Sequence, residues 1–255
     1  MRILAVETSG ARGGIALADG ENLLSEVRLG EGLRHGRDLI LAAKAACREA
    51  GWPPRAIDLV AVSIGPGSFT GIRIAVVLAK FLAWDAGTQV VAVPSLRALA
   101  ENAPADRLRV VPIVDAKRGG LFAGIFERRD TPAPGDPGAR RGLVRRGPGE
   151  GGSGGSLSEF DEIFGPALIE PEDLAKRLEP PAFILGHGIT KGRAALSPFD
   201  LAPEELWDVR PGVVARLGYE LAASGRFADP LLLEPIYIRP PEAQEIWDRR
   251  HGRRA

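Results

Sequence analysis

Cysteine is almost absent: Cys47 stands alone among 255 residues. That excludes a disulfide framework or a thiolate metal cluster and points to a reducing cytoplasm. Histidine is scarce too. His35, His187 and His251 form no H-x-x-H, H-x-x-x-H or H-E-x-x-H pair, so no metal site on one helix face is written. No excess of either charge exists, with 33 Lys+Arg against 33 Asp+Glu, which argues against a strongly basic nucleic-acid binder. No run of about 18 apolar residues is free of charge, so no transmembrane helix is expected. The opening run in MRILAVETS is too short for a signal peptide, and no G-x-S-x-G nucleophile elbow occurs. What is abundant is apolar residue, at 45%, enough to bury a core.

The apolar runs Ile3–Val6 and Ile15–Ala18 are joined by a glycine-bearing turn and read as a β-hairpin, with Leu23–Leu29 as a third strand. Arg37–Ala50 is helical, because Ile40, Ala43, Cys47 and Ala50 recur at three- and four-residue spacing before Gly51. Asp58–Ile64 is a near-continuous apolar strand of the kind buried on both faces. A long helix over Ser68–Ala86, a strand over Gln89–Val93 and a short helix over Ser95–Glu101 follow.

Strand, acid, glycine turn, strand then recurs. Arg109–Val114 ends at Asp115 and leads through AKRGG to Leu121–Phe126, about 110 residues after the same pattern around Glu7. Two related α/β domains are therefore expected, over 1–104 and 105–240, with a tail over 241–255. Asp130–Ser156, dense in Gly, Pro, Arg and Ser, is a loop insertion in the second. Beyond it, a helix is expected near Pro171–Leu178, a strand at Phe183–Gly186, a helix near Val213–Ser224, and a closing strand or extended tail at Glu234–Arg239.

SIGPGSFTGIR, Ser63–Arg73, lies between a strand and a helix, the context of a phosphate loop. Its glycines are spaced G-x-G-x-x-x-G, whereas a dinucleotide fingerprint needs G-x-G-x-x-G, and no Gly-Lys-Ser/Thr is present. The other reading is a tight turn with Ser68 as N-cap. The helix it launches carries Gly71, Ala75, Ala79 and Ala83 at four-residue intervals. Ile72, Val76, Val77, Leu78, Phe81, Leu82 and Trp84 fill most of the rest. A helix apolar nearly all round is buried on more than one side, one by the sheet and another by a partner. Glu7, Thr8, Ser9 and Asp115 remain as cleft candidates. Both acids end strands, where they either hold magnesium, as in a phosphotransferase, or cap their own hairpin turns. His187 sits in a turn after a strand and His35 at a helix start.

ILAVETS, RHGRDL, SIGPGSFTGIR, VPSLRALA, VDAKRGGLFAGIF and PIYIRPPEA occur here in the order seen in the TsaB (YeaZ) family, which this chain resembles over nearly its whole length outside Asp130–Ser156. The resemblance implies the duplicated α/β fold shared by actin, Hsp70 and sugar kinases (ASKHA, ribonuclease H-like). It implies a non-catalytic, cytoplasmic subunit of tRNA threonylcarbamoyladenosine synthesis, with no cofactor of its own and no membrane contact. A TsaD-like paralogue would be its partner and would carry the metal, with a TsaE-like ATPase binding ATP/ADP. It would meet tRNA only through the complex, and homodimers through the same surface also occur in the family when the chain is alone. The family pairing surface uses the two N-terminal helices: here Leu39, Ala43, Ala46 and Cys47 on the first, and Phe69, Gly71, Ile72, Ala75, Val76, Ala79, Lys80 and Ala83 on the second. The rival readings are an ATP/Mg-dependent phosphotransferase of the same fold and a glycoprotease-like metalloprotease. Glu7 stands where the family has Asp, and His35-Gly36 where it has His-Ser.

Overall fold

A computed structural model describes residues 1–30, 35–129, 160–239 and 247. The insertion expected at Asp130–Ser156 lies outside them, as does the tail apart from Trp247. The first sheet holds β1 (Arg2–Glu7), β2 (Gly14–Asp19), β3 (Asn22–Arg28), β4 (Leu59–Ser63) and β5 (Gln89–Val93), in the order β3-β2-β1-β4-β5. The second holds β6 (Arg109–Asp115), β7 (Leu121–Arg128), β8 (Phe160–Ile169), β9 (Phe183–Leu185) and β10 (Asp200–Leu201), in the order β8-β7-β6-β9-β10. Both are the same figure. A meander of three antiparallel strands is followed by two that run parallel to the first. The repeat read in the sequence is thus a repeat of topology, and the fold is the expected α/β duplication.

Helices α1 (His35–Glu49), α2 (Phe69–Ala86) and α3 (Ser95–Ala100) belong to the first half. Helices α4 (Pro171–Arg177), α5 (Ile189–Leu196) and α6 (Pro211–Ala223) belong to the second. The period-2 rule divides the first sheet between two cores. Leu4, Val6, Val60, Val62 and Val90 join the core under α1 and α2. Ile3, Ala5, Ala61, Val91 and Val93 join the larger core on the other side.

The cover on that other side is α6, which comes from the second half and packs across all five strands of the first sheet. In the same way α3 crosses to pack on β6 and β7. At Gly218 of α6 a Cβ would stand 2.3 Å from Ala61 Cβ, so the close seat of helix on sheet requires glycine there. Glu101 joins Arg97 and Arg216, and Arg216 bonds Glu220 at 2.6 Å, which ties the two exchanged helices together. After α6 the chain runs back as an extended strap over 226–239. Ala228 N donates to Val90 O at 2.8 Å, Leu233 is buried in the α1/α2 core, and Ile236 N donates to Ile64 O at 2.8 Å.

β8, α5 and β10 have no counterpart in the sequence reading. β8 is an edge strand reading FDEIFGPALI, half of it exposed, with two acids and a Gly-Pro step where the register shifts. It lacks the alternation that announces a strand. No helix among the described residues is long and apolar enough to cross a membrane.

Candidate protein interaction site

The loop between β4 and α2 is seated on the end of β1. Gly65 takes φ +102 and precedes a cis Pro66. Ser68 caps α2 by accepting Gly71 N at 3.2 Å, and its own N donates to Ser9 O at 2.7 Å. Thr8 Oγ1 donates to Gly71 O at 2.7 Å. A Cβ on Gly67 would lie 2.3 Å from Ser9 O, and one on Gly71 would lie 1.9 Å from Thr8 O. These two glycines therefore serve close backbone approach. Of the loop amides, Ser68 N donates to Ser9 O, Gly65 N to Ser95 Oγ and Gly71 N to Ser68 Oγ, so these three are engaged within the chain.

The cleft candidates lie beneath it. Glu7 is 0% exposed, and Thr8 and Ser9 are buried. Glu7 Oε1 accepts from Ser9 N at 2.5 Å and from Ser9 Oγ at 2.6 Å, while Oε2 has no hydrogen-bond partner in spite of the Ser63 hydroxyl beside it. Burial pushes this carboxyl above its ordinary value, and the nearby Ser63 hydroxyl, the bonds from Ser9 and the Gly10 amide only partly oppose it.

Asp115, its counterpart in the second half, shares no hydrogen bond with these residues. It bonds Lys117 N at 2.7 Å, Lys117 Nζ at 3.1 Å and Lys191 Nζ at 3.0 Å. Partial burial would raise its pKa, but the bonds from Lys191 and Lys117 prevail and hold it below the usual carboxylate range. His187 Nε2 lies 2.8 Å from Asp208 Oδ1, and Arg12 Nη1 approaches Asp208 Oδ2 at 3.6 Å. Among the described residues no group of three or more His, Cys, Asp or Glu is placed to hold a metal ion. His35 opens α1.

The outward side of α2 differs from its inward side. Gly71, Ile72, Ala75, Val76 and Ala79 are buried. Val77, Phe81 and Trp84, at the i, i+4, i+7 spacing of one face, are 65%, 53% and 83% exposed. With Trp84 this open, the three side chains form an exposed apolar row, the kind of surface that interaction sites use. α1 lies alongside, with Gly36 near Ile74 and with Ile40 and Leu41 exposed. On the far side runs the strap. Lys80 Nζ donates to Leu231 O at 3.3 Å, and Leu231 and Leu232 are exposed. Arg73 lies 3.7 Å over the Phe69 ring and donates from Nε to Tyr237 Oη at 2.7 Å, pinning the strap to the start of α2. Exposed apolar side chains thus occur on α1, on α2 and on the strap.

Of the residues named from the sequence for a pairing surface, Leu39, Ala46, Cys47, Gly71, Ile72, Ala75, Val76 and Ala79 are buried inside the chain. Ala43, Lys80 and Ala83 are half-buried and Phe69 is exposed. The small-residue stripe faces inward and seats α2 on its neighbours. The side chains open to a partner are the bulky ones on the opposite side, and the strap joins them. The helix is apolar nearly all round in sequence, so periodicity does not distinguish its two sides. The strap has no regular structure to betray it.

Comparison with known proteins gives four findings. Residues 32–134 match the family model of TsaD, tRNA N6-adenosine threonylcarbamoyltransferase. The Bacillus subtilis (strain 168) tRNA threonylcarbamoyladenosine biosynthesis protein TsaB is 27% identical over 252 residues, 97% of this chain and 98% of the relative. The Escherichia coli (strain K12) protein of the same name is 28% identical over 133 residues, 51% of this chain and 57% of the relative. Among solved structures, YeaZ from Pseudomonas aeruginosa superposes with TM-score 0.69 at 22% identity, covering 92% of this chain and 100% of its own. That likeness shows the fold. The findings together support the TsaB (YeaZ) family.

Proposed function

We propose that this chain, related along its length to the TsaB (YeaZ) family, is a non-catalytic subunit in tRNA threonylcarbamoyladenosine synthesis that binds and activates a TsaD-like catalytic paralogue. The observation that carries the reading is the exposed row Val77, Phe81 and Trp84 on α2, beside Ile40 and Leu41 of α1. The partner would lay its own helix pair over this face. The match of residues 32–134 to the TsaD model spans α1 and α2, which supports a partner with a similar pair of helices. Nucleotide, metal and the transfer chemistry belong to the partner subunits, a TsaD-like enzyme and a TsaE-like ATPase, and tRNA is met through the complex. The burial of Glu7, Thr8 and Ser9 under the GPGSFTG loop supports this division, because magnesium or a phosphate would reach them only if the loop moved.

Trp84→Ala tests the face. A buried tryptophan covers about 150–250 Å², and a central aromatic anchor is worth about 2 kcal/mol or more, which is about 30-fold in affinity. Calorimetric titration of a purified TsaD-like subunit should show that loss with the thermal stability of the chain unchanged. Undiminished binding by Trp84→Ala would place the interface elsewhere.

A further inference from the structure

The strap holds two adjacent leucines out of its own packing. Leu231 and Leu232 are 87% and 77% exposed, yet the turn that presents them is fixed on both sides. Asp229 stands at the first position of a β-turn and Pro230 at the second, places that favour those residue types. Leu232 N donates to Asp229 O at 3.1 Å and closes the turn, while Leu231 N donates to Asp229 Oδ1 at 2.8 Å. Before the turn, Ala228 N donates to Val90 O at 2.8 Å; after it, Leu233 is buried in the α1/α2 core. A leucine exposed singly on a surface is ordinary. Here two neighbours are held open by a backbone bond, a carboxylate, a tie to β5 and a buried residue. They form a rigid apolar knuckle.

Lys80 places the knuckle beside the exposed row of α2. It follows Val77 by three residues and precedes Trp84 by four, so the three share a flank of the helix. Its Nζ donates to Leu231 O at 3.3 Å, which sets the turn one lysine side chain away from that flank. The strap lies outside residues 32–134, the part that matches the TsaD model, so the knuckle extends the face beyond the helix pair covered by that match.

We propose that the turn Asp229–Leu232 is a second anchor for the TsaD-like partner, seating Leu231 and Leu232 in an apolar groove beside that partner's helix pair. The proposal rests on the interaction face described above. Because the turn is already ordered, the partner gains the burial of both leucines without a loop to organise on binding. A second copy of this chain is the other occupant, and the test separates the two.

The test is L231D/L232D, both positions being exposed, with thermal melts to verify the fold. In calorimetric titration with a purified TsaD-like subunit the variant should bind about 100-fold or more weakly, since burying each leucine is worth about tenfold. Asp229→Ala keeps both leucines and removes the carboxylate that holds the turn; binding should weaken about threefold, because the loosened turn must then be ordered. Binding of L231D/L232D as tight as wild type would overturn the proposal. If that variant also lost self-association in sedimentation velocity, the knuckle would belong to a second copy. Trp84→Ala separates the two levels. If it weakens binding while L231D/L232D does not, the α2 row stands and only the knuckle falls; if neither weakens it, both fall.

Discussion

Gly71→Ala sets two physical effects of opposite sign against each other. Gly71 lies in the first turn of α2, where replacing glycine by alanine in a helix is worth about 1 kcal/mol in favour of folding. The new methyl, however, would stand 1.9 Å from Thr8 O, where real Cβ contacts do not fall below 3.0 Å. The loop or the end of β1 must therefore move by about 1.1 Å. The atom in the way is backbone at the edge of a buried strand, so no rotamer change relieves it. Overpacking of this kind costs about 1–3 kcal/mol, occasionally more. The shift also strains the bond from Thr8 Oγ1 to Gly71 O, now 2.7 Å, worth about 1 kcal/mol.

The net expectation is a loss of about 1–3 kcal/mol once the helix-propensity gain is subtracted. For a chain of this size that lowers Tm by about 2–12 °C, with a matching drop in the urea midpoint at unchanged slope. If Gly71→Ala leaves Tm unchanged or raises it, the loop is not seated on β1 as described. The buried state of Glu7, Thr8 and Ser9 would then lose its support.

Glu7→Gln should raise stability at neutral pH and change little near pH 4, read by thermal melts across pH. The carboxyl is pushed above its unfolded value of 4.5 by burial, so the folded state binds the extra proton and stability falls as pH rises from about 4.5 toward the raised folded value. The amide stays neutral and removes that slope; a slope unchanged in the variant would mean the carboxyl is solvated. Ala79→Arg should cost about 3–5 kcal/mol and leave little folded protein in circular dichroism, because Ala79 is fully buried and an unpaired guanidinium would enter the core. A well-folded Ala79→Arg chain would show that the small-residue side of α2 is open.

Where one periodicity dominates, the sequence was enough. β1, β2, β4 and β5 are short apolar runs with turn residues between them, and α2 starts at its Ser68 cap and ends at Gly87 in the left-handed region, as its residue types dictate. The duplication was legible because acid and glycine turn recur at Glu7 and Asp115. β8 was not, since an exposed edge strand packs too little to need alternation. The exchange of α3 and α6 between the sheets was not legible either. Gly218 records it only once the partner atom, Ala61 Cβ, is known. The candidate site was half legible. The helix was identified correctly as an element, but which of its sides faces out depends on where the loop anchors it.

That anchoring links the two halves of the functional reading. Gly67 and Gly71 let the loop lie against the backbone of Thr8 and Ser9, which closes the end of β1 and fixes the rotation of α2 about its axis at the same time. With Gly71, Ala75 and Ala79 turned inward, helix geometry leaves Val77, Phe81 and Trp84 no direction but outward. A loop opened to admit a phosphate would lose its contacts with β1 and release the first turn of α2, where Phe69 and Arg73 hold the strap through Tyr237. Nucleotide binding in this cleft and a rigid partner face on α2 therefore draw on the same residues. In this structure the two glycines hold the closed arrangement against Thr8 and Ser9.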